Sequence, residues 1–175
     1  MSSFHLKKIG VLTISVMFVV IACTQADATL SQAKRELPFP VLFPETMLEN
    51  WTIEETIFED NLLVTSFINN QDGRIELIQD QNIQGLDIEE LRKHVISSEP
   101  TNDRIEQRQE VIEVYDFVGE LAYFKEPTPT VQYTFVSKKD LFVDINGNVP
   151  NYQLIGKEIS TEELRKFIYT LEVST

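Results

Sequence analysis

Most of the chain alternates apolar and polar residues with the two-residue period of a β-strand. The pattern predicts strands over 51–59, 62–68, 74–81, 110–118, 121–125, 131–135, 141–145 and 152–155. Short polar segments separate them: Asp72-Gly73 is a strong hairpin signal, Gly119-Glu120 predicts a turn, and 137–140 predicts a hairpin loop. Strands joined in this way pair antiparallel.

Two segments change to the helical period. The first opens at Asp87, with Glu90 three residues later, which is the arrangement of a capped helix start. The second opens with Ser-Thr-Glu-Glu at 160–163 and carries an apolar stripe at Leu164, Phe167, Ile168 and Leu171. This order of elements predicts an α+β fold, a curved antiparallel sheet of about six to eight strands with two amphipathic helices packed on one face. The other face then meets solvent or lines a groove.

The N-terminal segment follows neither period. Lys7 and Lys8 precede an apolar run over 9–20, which is the arrangement of a secretory signal peptide. A retained transmembrane helix is the competing interpretation, but only 15 residues run from Ile9 to Cys23, short of the roughly 20 that span a bilayer. Cleavage of the segment is therefore favoured.

The end of this run resembles the lipobox of bacterial lipoproteins. The tripeptide Val-Ile-Ala at 20–22 precedes Cys23, the one cysteine of the chain. The resemblance implies that Cys23 carries two acyl chains such as palmitate and becomes the first residue of the mature protein. Two chains suffice for stable anchoring, here at the extracytoplasmic face of the cell membrane. Ordinary cleavage near Ala26 or Ala28 is the alternative.

These patterns divide the chain into three regions: a lipoprotein signal peptide over 1–22, a flexible tether over 23–36, and a single globular extracytoplasmic domain over 37–175. The tether is small and polar, without an apolar period. Pro38, Pro40 and Pro44 then favour an extended segment, and we expect its apolar residues to dock on the domain.

Charge and cysteine content narrow the choice of partners. The chain has a net charge of −13, and removal of 1–22 takes two lysines and no acid, which leaves −15 on 153 residues. Such acidity disfavours nucleic acid and anionic lipid surfaces as partners. The simplest explanation of the acidic charge is that it keeps the domain soluble beside an anionic membrane. With Cys23 acylated no thiol remains, so the domain is built without disulfides.

Metal and cofactor chemistry has little support in the sequence. Zinc sites need several Cys or His ligands, and the mature domain offers His94 alone, which we interpret as a surface or boundary residue. Residues 144–148, Asp-Ile-Asn-Gly-Asn, imitate the start of a calcium loop but lack its later glycine and glutamate, so they predict an ordinary turn. We therefore expect no metal ion and no cofactor.

Catalytic arrangements are equally weak. Four acids cluster near the first strand: Glu54, Glu55, Glu59 and Asp60. They are candidates for paired-carboxylate chemistry, although a solvated strand face explains them as well. Ser66, Ser97 and Ser137 lack the Gly-x-Ser-x-Gly context of a nucleophile. The sequence therefore predicts a protein that is not an enzyme.

Aromatic residues concentrate in the later strands: Phe117, Tyr123, Phe124, Tyr133, Phe135 and Phe142. Core packing is their simplest interpretation. If several lay on an uncovered sheet face instead, they would form an apolar groove for a lipid, a peptide or a peptidoglycan stem.

Two short motifs carry a family resemblance. One is Phe-Pro-Val-Leu-Phe-Pro at 39–44 followed by Trp51, and the other is Tyr-Gln-Leu-Ile-Gly at 152–156 followed by Ile-Ser-Thr-Glu-Glu-Leu at 159–164. They resemble the entry and exit motifs of an uncharacterised extracytoplasmic domain of Gram-positive lipoproteins and anti-sigma-factor ectodomains. That domain is distantly similar to the lipoprotein-carrier family, whose curved antiparallel sheet wraps helices and can hold acyl chains. The resemblance implies location and fold.

We therefore expect a membrane-anchored lipoprotein with a non-enzymatic domain that binds or senses an envelope protein, a lipid or a peptidoglycan fragment. A carrier or chaperone for a lipid or other apolar ligand is the first alternative, and it needs an apolar, unfilled inner sheet face. A cell-wall enzyme working through paired acids is the second, and it needs two carboxylates that face each other in a cleft.

Overall fold

The computed structural model describes residues 26–97, 109–125, 127–143 and 149–174. The strands are β1 Leu42–Pro44, β2 Trp51–Glu59, β3 Leu62–Asn69, β4 Arg74–Gln79, β5 Gln109–Val114, β6 Phe117–Phe124, β7 Thr130–Ser137, β8 Tyr152–Lys157 and β9 Leu171–Val173. Seven of them form one open antiparallel sheet in the order β2-β3-β4-β8-β7-β6-β5, and β1 pairs with β9 in a separate antiparallel sheet. The predicted α+β class and antiparallel sheet are confirmed.

The described residues also form three α-helices and one short 3-10 helix. Helix α1 covers 26–36, α2 is Ile88–Ser97, α3 is Thr161–Ile168, and the 3-10 helix is Asp140–Phe142. Both predicted helix starts form: the Asp87 carboxylate accepts the N–H of Glu90 at 3.0 Å, and Ser160 and Glu163 make a reciprocal capping box. The Ser160 backbone N–H and hydroxyl that bind the Glu163 carboxylate lower the pKa of that carboxyl.

One face of the large sheet, here called the core face, carries the main hydrophobic core. Helix α3 packs on it through Phe167, whose ring centroid lies 4.8 Å from Phe67 and 6.1 Å from Trp51. The predicted docking of the proline-rich segment is confirmed, because Val41 and Leu42 are buried against this side. Side chains therefore fill the core face.

Helix α2 packs on the opposite face of the sheet, through Leu91 against Val118 and Val136. Neighbouring residues of a strand point to opposite faces, and Phe135 belongs to the core on the α3 side. The structure thus differs from the prediction of two helices on one face. The physical reason lies in β6 and β7, which carry apolar side chains on both faces and so need cover on both sides.

Residues 26–36 also differ from the prediction of a flexible tether. They form α1, and Ala33 is fully buried in a cluster with Leu37, Val41 and Leu63. Leu30, Ala33 and Leu37 recur at helical spacing, so this polar segment has a narrow apolar stripe that can pack. Only the residues before 26 lie outside the described part of this region.

The predicted turn at Gly119-Glu120 is wrong. The turn is Tyr115-Asp116, and Gly119 lies inside β6 opposite Phe135. A Cβ at Gly119 would come within 2.1 Å of the carbonyl oxygen of Thr134. The glycine therefore permits close approach of two strands and does not mark a reversal of the chain.

Two apolar runs adopt other structures than predicted. The expected strand over 141–145 begins as the 3-10 helix with Leu141 buried, and residues 144 and 145 lie outside the described residues. Leu171, placed by its spacing on the last helix, starts β9 instead, since α3 ends at Ile168. In both cases the leucine, Leu141 or Leu171, is buried as its apolar pattern predicts, but in a different secondary-structure element.

Candidate functional site

The strongest sequence-predicted site residue, Cys23, lies outside the described residues, as does the calcium-like segment 144–148. Over the ranges that the structure describes, no group of three or more His, Cys, Asp or Glu side chains could hold a metal ion. None of the helices in those same ranges is long and apolar enough to cross a membrane.

His94 lies at the boundary between α2 and the sheet. Its Nε2 is 3.7 Å from one carboxylate oxygen of Glu113, and the Lys138 ammonium is 2.6 Å from the other. The Nδ1 of His94 is buried without a hydrogen-bond partner among the described residues. The side chain is a boundary histidine in a small charged cluster, as the sequence indicated.

The four acids near the first strand do not converge. Glu54 is paired with Arg74 at 3.0 Å on the strand surface, and Glu55 is exposed beyond the bulge of β2. Glu59 and Asp60 are exposed at the other end of β2, next to the turn into β3. These residues form a solvated strand face and do not face one another across a cleft.

The clustered aromatic residues divide into two groups. Phe117, Tyr133 and Phe135 are buried on the core face, where Tyr133 and Phe135 stack with ring centroids 4.8 Å apart. A second group is partly exposed: Tyr123, Phe124 and Phe142. Core packing is thus confirmed for the first group and not for the second.

A groove of about 470 Å³ lies instead between β9 and the tips of the β5–β6 and β7 strands. Its floor consists of buried apolar side chains: Leu42, Phe117, Tyr152 and Leu171. Glu172 and Val173 of β9 form one wall, and the Tyr115-Asp116 turn with Lys138 forms the other. The Lys138 N–H donates to the Asp116 carbonyl at 2.8 Å, which ties that second wall together.

Tyr115 is the most unusual residue of this groove. It has a φ of 54°, in the left-handed region that bulky residues rarely adopt. Its side chain is 58% exposed, and its ring centroid lies 6.3 Å from that of Tyr169, which is 60% exposed at the start of the segment into β9. Two-residue hairpin turns of the primed types need a positive φ at their first central residue, so the turn accounts for this backbone conformation.

Sequence reasoning missed this groove because it placed Tyr115 inside a strand. A signal was present in the spacing of apolar residues. Ile112 and Val114 are two residues apart and lie on the core face, whereas Phe117, three residues after Val114, also lies on the core face. Such a shift in the alternating pattern at Tyr115 and Asp116 indicates a two-residue hairpin loop. The contribution of β9 had no comparable signal, because its three residues follow directly on a helix.

Comparison of the chain with protein-family models, with curated proteins and with solved structures finds no match.

Proposed function

We propose that this chain is a bacterial lipoprotein, anchored through acylated Cys23 at the extracytoplasmic face of the cell membrane, and that its domain is a non-enzymatic binding module. The observation that carries the binding role is the groove beside β9. It combines an apolar floor, a charged rim and exposed Tyr115, whose ring lies beside that of Tyr169, and this is the composition of a binding site.

The anchor itself is supported by the lipobox resemblance at residues 20–23. Two residues separate Cys23 from the first described residue of α1, and a fully extended chain covers at most about 3.6 Å per residue. Ala26 then lies within about 11 Å of the acylated cysteine. Because α1 packs on the domain through Ala33, an anchor at Cys23 holds the domain close to the bilayer.

The two alternatives find less support. A carrier for a lipid or other apolar ligand needs an unfilled inner sheet face, whereas Phe167 and Trp51 pack on the core face. A cell-wall enzyme needs facing carboxylates, and the acids proposed for that role are exposed and dispersed along β2. The binding module is therefore the function that the groove supports best.

The anchor is tested by fractionation of cells that express the intact chain. We expect wild-type protein in the membrane fraction with incorporation of a labelled palmitate analogue, and loss of both on Cys23→Ala. Membrane retention of the variant would point to an uncleaved apolar segment, and a soluble wild-type protein would contradict the anchor.

The groove is tested separately by a photo-crosslinking amino acid in place of Tyr115 in the anchored chain, with mass spectrometry of the products. Tyr123 is the matched control, since it is exposed on the same strand β6 about 20 Å beyond Phe117. We expect a defined adduct from position 115 and none from position 123. Equal or absent adducts at both positions would contradict a binding role for the groove.

A further inference from the structure

The outer edge of β9 has no strand beside it among the described residues. In the β1–β9 pair the N–H of Ser174 donates to the Val41 carbonyl at 2.8 Å, and Leu42 lies opposite Val173. Residues of an antiparallel pair alternate between hydrogen-bonded and non-hydrogen-bonded positions. The backbone N–H and C=O groups of Val173, and of Leu171 two residues before it, therefore point away from β1.

The corresponding edge of β1 shows how the fold satisfies such groups. Leu42 also occupies a non-hydrogen-bonded position, and the side-chain amide of Gln79 binds both its N–H, at 2.8 Å, and its C=O, at 2.9 Å. Within the described ranges Leu171 and Val173 have no equivalent partner for their outward groups. An edge in this state is a template for one more strand.

The far wall of the groove limits what can pair with this edge. The Tyr115-Asp116 turn and Lys138 face β9 across the volume of about 470 Å³. A strand fits beside its neighbour at a spacing of about 4.8 Å. A groove of about 470 Å³ is far smaller than a folded chain, so it suits a short extended segment.

Charge selects among extended segments. Three carboxylates line the groove: Asp116, Asp140 and Glu172. Two lysines line it as well, but Lys138 is already paired with Glu113 at 2.6 Å, and the whole chain has a net charge of −13. The groove therefore attracts a segment that carries Lys or Arg and repels an acidic one.

We propose that the groove takes up an extended, positively charged peptide segment of a partner protein as a third strand beside β9. The backbone of the segment pairs with the outward groups of Leu171 and Val173, and its side chains meet Tyr115 and Tyr169. This inference rests on the proposed role of the groove as the binding site and is independent of the anchor at Cys23.

The test uses the intact chain in nonionic detergent and an end-capped peptide of alternating lysine and valine. We expect saturable binding in a fluorescence-anisotropy titration, and slower hydrogen exchange at the Val173 N–H when the peptide is bound. The matched peptide of alternating glutamate and valine should bind at least about tenfold more weakly, a difference of about 1.4 kcal/mol.

Two variants at one position separate backbone pairing from side-chain contact. Val173→Pro removes the outward N–H at an edge position that tolerates proline, whereas Val173→Thr keeps it. We expect at least about a tenfold loss of affinity in Val173→Pro and less than about threefold in Val173→Thr. Unfolding curves establish that both variants fold, and the exchange measurement on the wild-type chain stands without either variant.

Absence of peptide binding, equal affinity of the two Val173 variants, or unchanged exchange at the Val173 N–H would each overturn the inference. These outcomes are separable from failure of the proposed function. A defined adduct at position 115 together with any of them would leave the groove as a binding site for a ligand of another class.

Discussion

At the scale of single residues, Gln79 forms the hydrogen bonds that a neighbouring strand would otherwise form with β1. It is fully buried, and its side-chain amide forms two hydrogen bonds to the backbone of Leu42. Its position on β4 places this amide under β1, at a point where the large sheet and the β1–β9 pair meet. This buried polar side chain satisfies two backbone groups that have no other partner in the described part of the chain.

Replacement of this residue by leucine should destabilise the protein strongly. Gln79→Leu keeps the volume but leaves the N–H and C=O of Leu42 buried without partners, so we expect a loss of about 2–4 kcal/mol in the free energy of unfolding. Urea unfolding measures the change. Gln81→Leu, in the exposed turn after β4, is the matched control and should stay within about 0.5 kcal/mol. Equal effects of both substitutions would refute this role of Gln79.

At the scale of elements, the sequence predicted the regular strands well. The strand predicted over 51–59 is β2, and the Asp72-Gly73 signal joins β3 to β4 as expected. Local chemistry specifies these features, since alternation, turn residues and caps act within a few residues of one another. Both predicted helix starts form for the same reason.

The errors arise where distant contacts decide the structure. The local sequence around Gly119 indicates a turn, but the glycine lies in β6 because the carbonyl of Thr134 packs against it. The spacing of Leu171 indicates a helix, but the residue is in a strand because it pairs with β1. The groove is lined by the two elements that were predicted wrongly, the Tyr115-Asp116 turn and β9. No reading of local pattern brings β9 beside Tyr115, which is why the predicted site residues did not include it.

Helix α1 gives a second prediction at this scale. Ala33 is fully buried, so Ala33→Glu should detach α1 from Leu63 and unfold the helical backbone at Lys34 and Arg35, where trypsin cleaves. We expect cleavage after these residues to accelerate at least about tenfold, because cleavage follows the population of the open form. Ser31→Glu, on the exposed side of the helix, is the control and should leave the rate unchanged. Rapid cleavage of the wild-type chain at the same bonds would instead support the flexible tether.

At the scale of the whole molecule, both faces of the large sheet carry packed helices, but they differ in how far they are covered. Helix α3, the β1–β9 pair and α1 pack on the core face, whereas α2 covers β6 and β7 on the other. The rest of that second face holds ion pairs such as Lys157 with Glu76 at 2.9 Å. The stability of the fold is therefore concentrated in the core face and its stacked aromatic residues.

This concentration makes the fold sensitive to alkaline pH. Burial raises the pKa of the hydroxyls of both Tyr133 and Tyr152, whose rings flank Phe135 at 4.8 and 5.6 Å. In the unfolded chain these hydroxyls ionise at about pH 10. Because the folded pKa is raised, the contribution of each tyrosine to stability is complete below about pH 10 and is lost as the pH rises above it.

We therefore expect the free energy of unfolding to fall above about pH 10, with each buried tyrosine contributing up to about 1.4 kcal/mol per pH unit. Tyr133→Phe and Tyr152→Phe should each make the decline shallower, since a phenyl ring has no proton to release. Tyr123→Phe, at a partly exposed position, is the control and should leave the slope unchanged. The measurement is urea unfolding across the alkaline range, with tyrosinate absorbance as an independent monitor. Ionisation of all tyrosines in the folded protein at about pH 10 would contradict the buried stack as the source of the effect.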